Sequence, residues 1–154
     1  VRTATIAEWL AHVHSSPPQA RAEWADRRLA TLPLGARFDS VRISADVLHA
    51  ALGNIRPAAV GPLVEQLLQG PVIQDADFSF YPLVPVGRVG HWQSRAGEYL
   101  GAGGWLGVPQ VNQLAPPGTY WVVPMREAGH LCDLRRVAEL VAVGAARLAP
   151  RAVS

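Results

Sequence analysis

Asp75 and Asp77 stand two residues apart at the end of an apolar run, Val-Ile-Gln-Asp-Ala-Asp. If that run is a strand, side chains at i and i+2 leave it on the same face. Two carboxylates placed in this way can grip a divalent cation through oxygen. Followed by Phe78 and Ser79, the same residues are also hairpin-turn chemistry, because an Asp carboxylate accepts from nearby backbone N–H groups. A second cluster is His130, Cys132 and Asp133, which His91 or His49 can join in space. Three such ligands with an open position suit zinc, and a thiol beside an imidazole suits a nucleophile in a small hydrolase or transferase. Leu131 and Leu134 flank the thiol, so burial as a small apolar side chain competes with that role, and Asp133 can equally cap a helix. All 14 basic residues are Arg. The lack of lysine removes the Walker-A phosphate lysine, Schiff-base chemistry and pyridoxal-phosphate anchoring, each of which needs a primary amine.

The order of these groups is similar to that of the catalytic motifs in archaeo-eukaryotic-type primase-polymerases: an apolar strand into Asp75 and Asp77, then His91, then an apolar-x-Asp ending at Asp133. The chain also resembles short proteins of GC-rich actinobacteria, some described as primase-polymerases. The resemblance implies that the acids hold divalent metal and that His91 contacts a nucleotide phosphate. It spans positions 75–133, and Val89 stands where the family has a small residue two before its His.

Aromatic residues offer a different chemistry, that of surfaces. Of the five Trp, Trp9, Trp24 and Trp121 have core-type neighbours. Trp92 lies between His91 and Gln93 in a loop bounded by Gly87 and Gly97, and Trp105 follows two Gly. A loop Trp covers much area at low entropic cost, so Trp92 and Trp105, with Arg88 and Arg95 beside them, form a candidate binding surface. The pattern aromatic-x-x-Val-Pro recurs three times, beginning at Tyr81, Trp105 and Tyr120. Proline lacks an N–H and ends ladder pairing, so each copy predicts a strand stopped at a fixed point. The alternative is a row of aromatics lining a groove at one sheet end.

The elements that must carry these groups follow from periodicity. Ile6, Trp9, Leu10 and Val13 predict an amphipathic helix, and Ser16-Pro17 starts a second over 17–31, with Ala22, Ala25, Leu29 and Leu32 on one face. Phe38 to Ile43 predicts a strand, and Ser44 caps a short helix. A fourth helix carries Val60, Leu63, Val64, Leu67 and Leu68, its regular part starting at Pro62 and ending at Gly70-Pro71. Short β-type runs then follow at Val72-Ile73, Phe78–Val84, Tyr99-Leu100, Trp105–Val108 and Tyr120–Val123. The Gly-rich run 101–107 falls short of a dinucleotide fingerprint and predicts a loop or bulge feeding a strand. Asp133 caps a last helix, whose stripe is Val137, Leu140, Val141, Gly144 and Leu148.

These elements amount to a single α+β domain over residues 1–149, mainly antiparallel, with helices at both ends and a frayed tail over 150–154. The length of 154 residues, 49% hydrophobic and 17% charged, suits one such core. The net charge is +2, with mildly positive ends and a mildly negative middle, and no basic stripe of the kind that grips phosphates stands out. No run is long enough to span a bilayer, and the first residues have no apolar run before Glu8, so no leader is expected. The single Cys132 cannot form an internal disulfide and fits a cytoplasmic setting.

The leading expectation is a non-enzymatic cytoplasmic interaction or regulatory module that uses the loop between residues 85 and 105. Its partner is another protein or a second copy, and it needs no cofactor. The first alternative is a primase-polymerase-like nucleotide or nucleic-acid protein with divalent metal at Asp75 and Asp77. The second is a small hydrolase or transferase using His130 and Cys132.

Overall fold

The computed structural model describes residues 2–76 and 78–150, so Asp77 and the tail from 151 lie outside the described residues. In chain order the elements are α1 (Arg2–Ala11), α2 (Pro17–Arg27), β1 (Leu29–Pro33), β2 (Asp39–Ile43), α3 (Ala45–Leu52) and α4 (Pro57–Leu68). They continue with β3 (Val72–Gln74), β4 (Phe80–Val84), a 3-10 turn (Val89–His91), β5 (Gly97–Leu100), β6 (Trp105–Pro109), β7 (Tyr120–Val123) and α5 (Leu134–Leu148). The expected α+β class, with helices at both ends, is what forms.

Five strands make one antiparallel sheet in the order β5-β2-β4-β3-β7, and β1 and β6 make a separate antiparallel ribbon. Strand alternation gives the sheet two buried faces. Ile73, Leu83 and Trp121 face α1, α2 and the ribbon, where Leu10, Trp24, Leu32 and Phe38 complete one core. Val41, Ile43, Val72, Phe80 and Val84 face the other way, into a core closed by α3, α4 and α5. Trp121 and Val123 would share a face in a regular strand. They face opposite cores because Val72 pairs with Val123 and Ile73 with Trp121, leaving Val122 as an extra residue in a β-bulge.

Two boundaries and one buried stripe differ from the periodicity. The second helix ends at Arg27, because Arg28 takes a left-handed conformation and its N–H caps the helix on Trp24 O. Leu29 to Pro33 then pair with β6, so Leu29 and Leu32 sit on a strand, and the Trp24 indole ties α2 to the ribbon through Val108 O at 2.9 Å. The fourth helix starts earlier than expected, with Pro57 in its first turn, where a missing N–H is harmless, and Pro62 lies inside it. Its buried stripe is Val60, Val64 and Leu68 at i, i+4, i+8, which turns Leu67 outward to 44% exposure.

Other local signals form as read. Ser44 Oγ accepts from Val47 N, Asp133 accepts from Arg135 N, and the three aromatic-x-x-Val-Pro copies coincide with β4, β6 and β7. Because β6 belongs to the ribbon, their aromatics do not form one row. Helices α3 and α5 meet at Gly144, where a Cβ would overlap the Val47 carbonyl oxygen. No helix among the described residues is long and apolar enough to cross a membrane.

Candidate functional site

Strand β4 runs between two concave regions, one at its Phe80 end and one beyond Val84 at Pro85. At the Phe80 end, Asp75 closes a tight turn. Its Oδ1 accepts from Ser79 N at 2.9 Å, its Oδ2 from the Tyr81 hydroxyl at 2.7 Å, and its carbonyl from Phe78 N at 3.1 Å. Burial, reinforced by the bond to Asp75, pushes the Tyr81 phenol up to about 12. The turn leaves Phe78 at φ 64°, a left-handed conformation that an aromatic residue rarely takes, and the residue is 65% exposed. Phe78 borders a groove of about 590 Å³ that runs between the α3–α4 connection and the loop 114–118. Ile55 (71% exposed) and Leu114 (55% exposed) stand on the same groove, and Gly61, Phe80 and Val122 also line it. Tyr120 donates to Gln74 Oε1 at 2.5 Å along one wall, and the His49 ring lies edge-on to Phe80.

At the Pro85 end, Asp39 opens β2 on the same face as Val41 and Ile43 and is 2% exposed. Its Oδ2 accepts from the Tyr99 hydroxyl at 2.5 Å and from Gly87 N at 2.9 Å, while its Oδ1 is buried without a hydrogen-bond partner among the described residues. The Tyr99 oxygen in turn accepts from Arg88 N at 3.0 Å. Burial and the bond to Asp39 raise the Tyr99 phenol to about 12. A buried carboxylate thus fixes the backbone at Gly87 and Arg88. Beside it opens a cavity of about 660 Å³, lined by Pro85, Arg88 and His91 on one side and by residues 131–135 and Ala138 on the other.

The groups singled out in the sequence divide between these regions. His91 and Asp133 line the cavity, whereas Asp75 stands at the opposite end of β4, on the groove. The primase-like set is therefore split, with Asp77 outside the described residues. Among the described residues, no group of three or more His, Cys, Asp or Glu is placed to hold a metal ion. The expected His130–Cys132 pair does not share a cavity: His130 lines a smaller one with Glu65 and Arg126, while Cys132 lines the large one. Cys132 is 1% exposed, its Sγ lies 3.4 Å from Pro71 O, and burial pushes its thiol up to about 12. Such a thiol keeps its proton and is a poor nucleophile.

Trp92 corrects the expectation of a free loop side chain. It is partly buried against the second core, and its indole Nε1 donates to Gly97 O at 2.9 Å on the edge strand β5. Trp105 is 60% exposed, and Arg88 and Arg95 are exposed as expected. Sequence reasoning missed Asp39, although an acid at i, i+2, i+4 with Val41 and Ile43 marks a polar group on a buried face. It also missed the groove, whose members Ile55, Phe78 and Leu114 are brought together only by the tertiary fold. No family, curated protein or solved structure matches the chain.

Proposed function

We propose that the chain is a non-enzymatic protein-interaction module that holds an extended apolar segment of a partner protein in the groove at the Phe80 end of β4. One observation carries the reading: Ile55, Phe78 and Leu114, each more than half exposed, stand around a single groove. Exposed large apolar side chains scattered singly are ordinary, but their concentration around one concavity marks a contact surface. The left-handed backbone at Phe78 adds weight, since strain of this kind is retained where it serves a site. The lining is largely apolar and includes no Arg, and both Asp75 oxygens are taken by its own turn, so the complementary segment carries large apolar side chains. Loss of a reactive thiol at Cys132 and the division of the acids between two regions weigh against the catalytic alternatives. A cytoplasmic setting belongs to the same proposal and is supported by the single cysteine.

The test is selection of a random-peptide display library on the wild-type protein and on Phe78→Asn and Leu114→Asp. The expected peptides carry two or more large apolar residues and bind either variant at least about tenfold more weakly, which is about 1.4 kcal/mol. Equal enrichment on wild type and variants would overturn the proposal. So would a concentration-dependent dimer that Leu114→Asp dissolves, because the groove would then be occupied by a second copy.

A further inference from the structure

The cavity at the other end of β4 carries a separate inference. Its polar lining is Arg88, His91, Asp133 and Arg135, and its apolar lining includes Pro85, Leu134 and Ala138. Neither Arg88 nor Arg135 forms an ion pair among the described residues, whereas Arg21, Arg42 and Arg126 are paired with Glu8, Glu98 and Glu65. Both unpaired arginines stand on fixed backbone. Arg88 N donates to the Tyr99 hydroxyl, which is itself bonded to the buried Asp39, and Arg135 N donates to Asp133 Oδ1. Asp133 Oδ1 accepts that second bond, and the Asp133 carboxylate offsets part of the positive charge on this lining.

We infer that this cavity binds a small organic anion, with an oxyanion head between the Arg88 and Arg135 guanidinium groups and an apolar body against Pro85, Leu134 and Ala138. A guanidinium presents a planar fork of donors that matches carboxylate or phosphate oxygens. The volume of about 660 Å³ lies in the range of cavities that enclose a small ligand. His91, on the same lining, offers a ring N–H as a third donor to the head. The site shares no lining residue with the groove, so it stands or falls independently of the interaction proposal.

The experiment is calorimetric titration of the full chain with 1-naphthoate, 1-naphthyl phosphate and neutral 1-naphthol, for wild type, the double variant Arg88→Gln/Arg135→Gln, and Leu114→Asp. The expected result is saturable binding of one or both anions, lost by at least about tenfold in the double variant, retained in Leu114→Asp and weakened by added salt. Preference between the two anions then distinguishes a carboxylate from a phosphate head. Naphthol binding as tightly as the anions, anion binding unchanged in a double variant that melts like wild type, or no saturation at millimolar ligand would each overturn the inference. Should the double variant fold poorly, the single variants Arg88→Gln and Arg135→Gln and the salt dependence on wild type carry the same decision.

Discussion

The Tyr99 hydroxyl donates to Asp39 Oδ2 at 2.5 Å, and through it one buried carboxylate holds the backbone of a surface turn. Asp39 lies on β2 and Tyr99 on the edge strand β5, so the contact also ties neighbouring strands together at their open end. Tyr99→Phe keeps the ring but removes the oxygen that links Asp39 to Arg88 N. The expected cost is about 1–3 kcal/mol in denaturant melts, with faster amide exchange at Gly87 and Arg88. Unchanged exchange there would show that the turn is held by other means.

All three tyrosines have phenols raised above the ordinary value, with burial the largest cause in each. For Tyr81 and Tyr99 the shift reaches about 12, with Asp75 and Asp39 adding to burial. Between pH 10 and 12 the unfolded chain has released these protons while the native chain keeps them. The unfolded state then binds fewer protons, so the contribution to stability is whole below pH 10 and falls as pH rises toward 12. A spectrophotometric tyrosinate titration should show Tyr81 and Tyr99 ionising late. A phenol titrating at the ordinary value in native Tyr81→Phe/Tyr120→Phe or Tyr99→Phe/Tyr120→Phe would contradict this for the one tyrosine retained.

Helix α4 separates its two adjacent leucines. Leu68 is 1% exposed in the second core, and Leu67 is 44% exposed. Leu68→Ala should therefore cost about 2–5 kcal/mol, and Leu67→Ala less than about 1 kcal/mol, measured side by side in urea. Equal losses would mean that the helix is rotated about its axis.

Trp92→Ala removes a partly buried ring and its bond to Gly97 O. The loss should be about 2–4 kcal/mol, below that of a fully enclosed Trp and well above that of a free one. A loss under about 0.5 kcal/mol would restore the picture of an unattached loop residue.

Gly144→Ala puts a methyl group against the Val47 carbonyl where α3 and α5 meet. Backbone cannot yield as a flexible side chain can, so the expected cost is about 1–3 kcal/mol or more in thermal melts, despite the better helix propensity of Ala. No loss would mean that the two helices separate freely at that point.

What could be read from the sequence was local. Asp133 and Ser44 are caps because their side chains reach N–H groups two or three residues ahead, and the Val-Pro stops are strand ends because proline lacks a donor. Leu29 and Leu32 fit a helical face as well as a strand, and only pairing with β6, distant in sequence, decides between them. Leu67 fits a buried stripe as well as Leu68 does, since i+3 and i+4 positions look alike until a neighbouring layer chooses one. The expected site residues were distributed by the topology, with β4 carrying Asp75 to one end and His91 to the other. Phe78 and Leu114 lie 36 positions apart, and no local pattern joins them.

The bulge in β7 has a bearing on how this protein can vary. The sheet needs Trp121 on one face and Val123 on the other, and two consecutive residues of a regular strand would supply both. Val122 is thus surplus to pairing, and this spare residue lines the groove, where its carbonyl lies close to Gly61. A chain shortened by that one position would keep each core residue on its own side while reshaping the groove wall. The groove wall can therefore be edited by a single-residue deletion in mid-strand, a place where most sheets tolerate none.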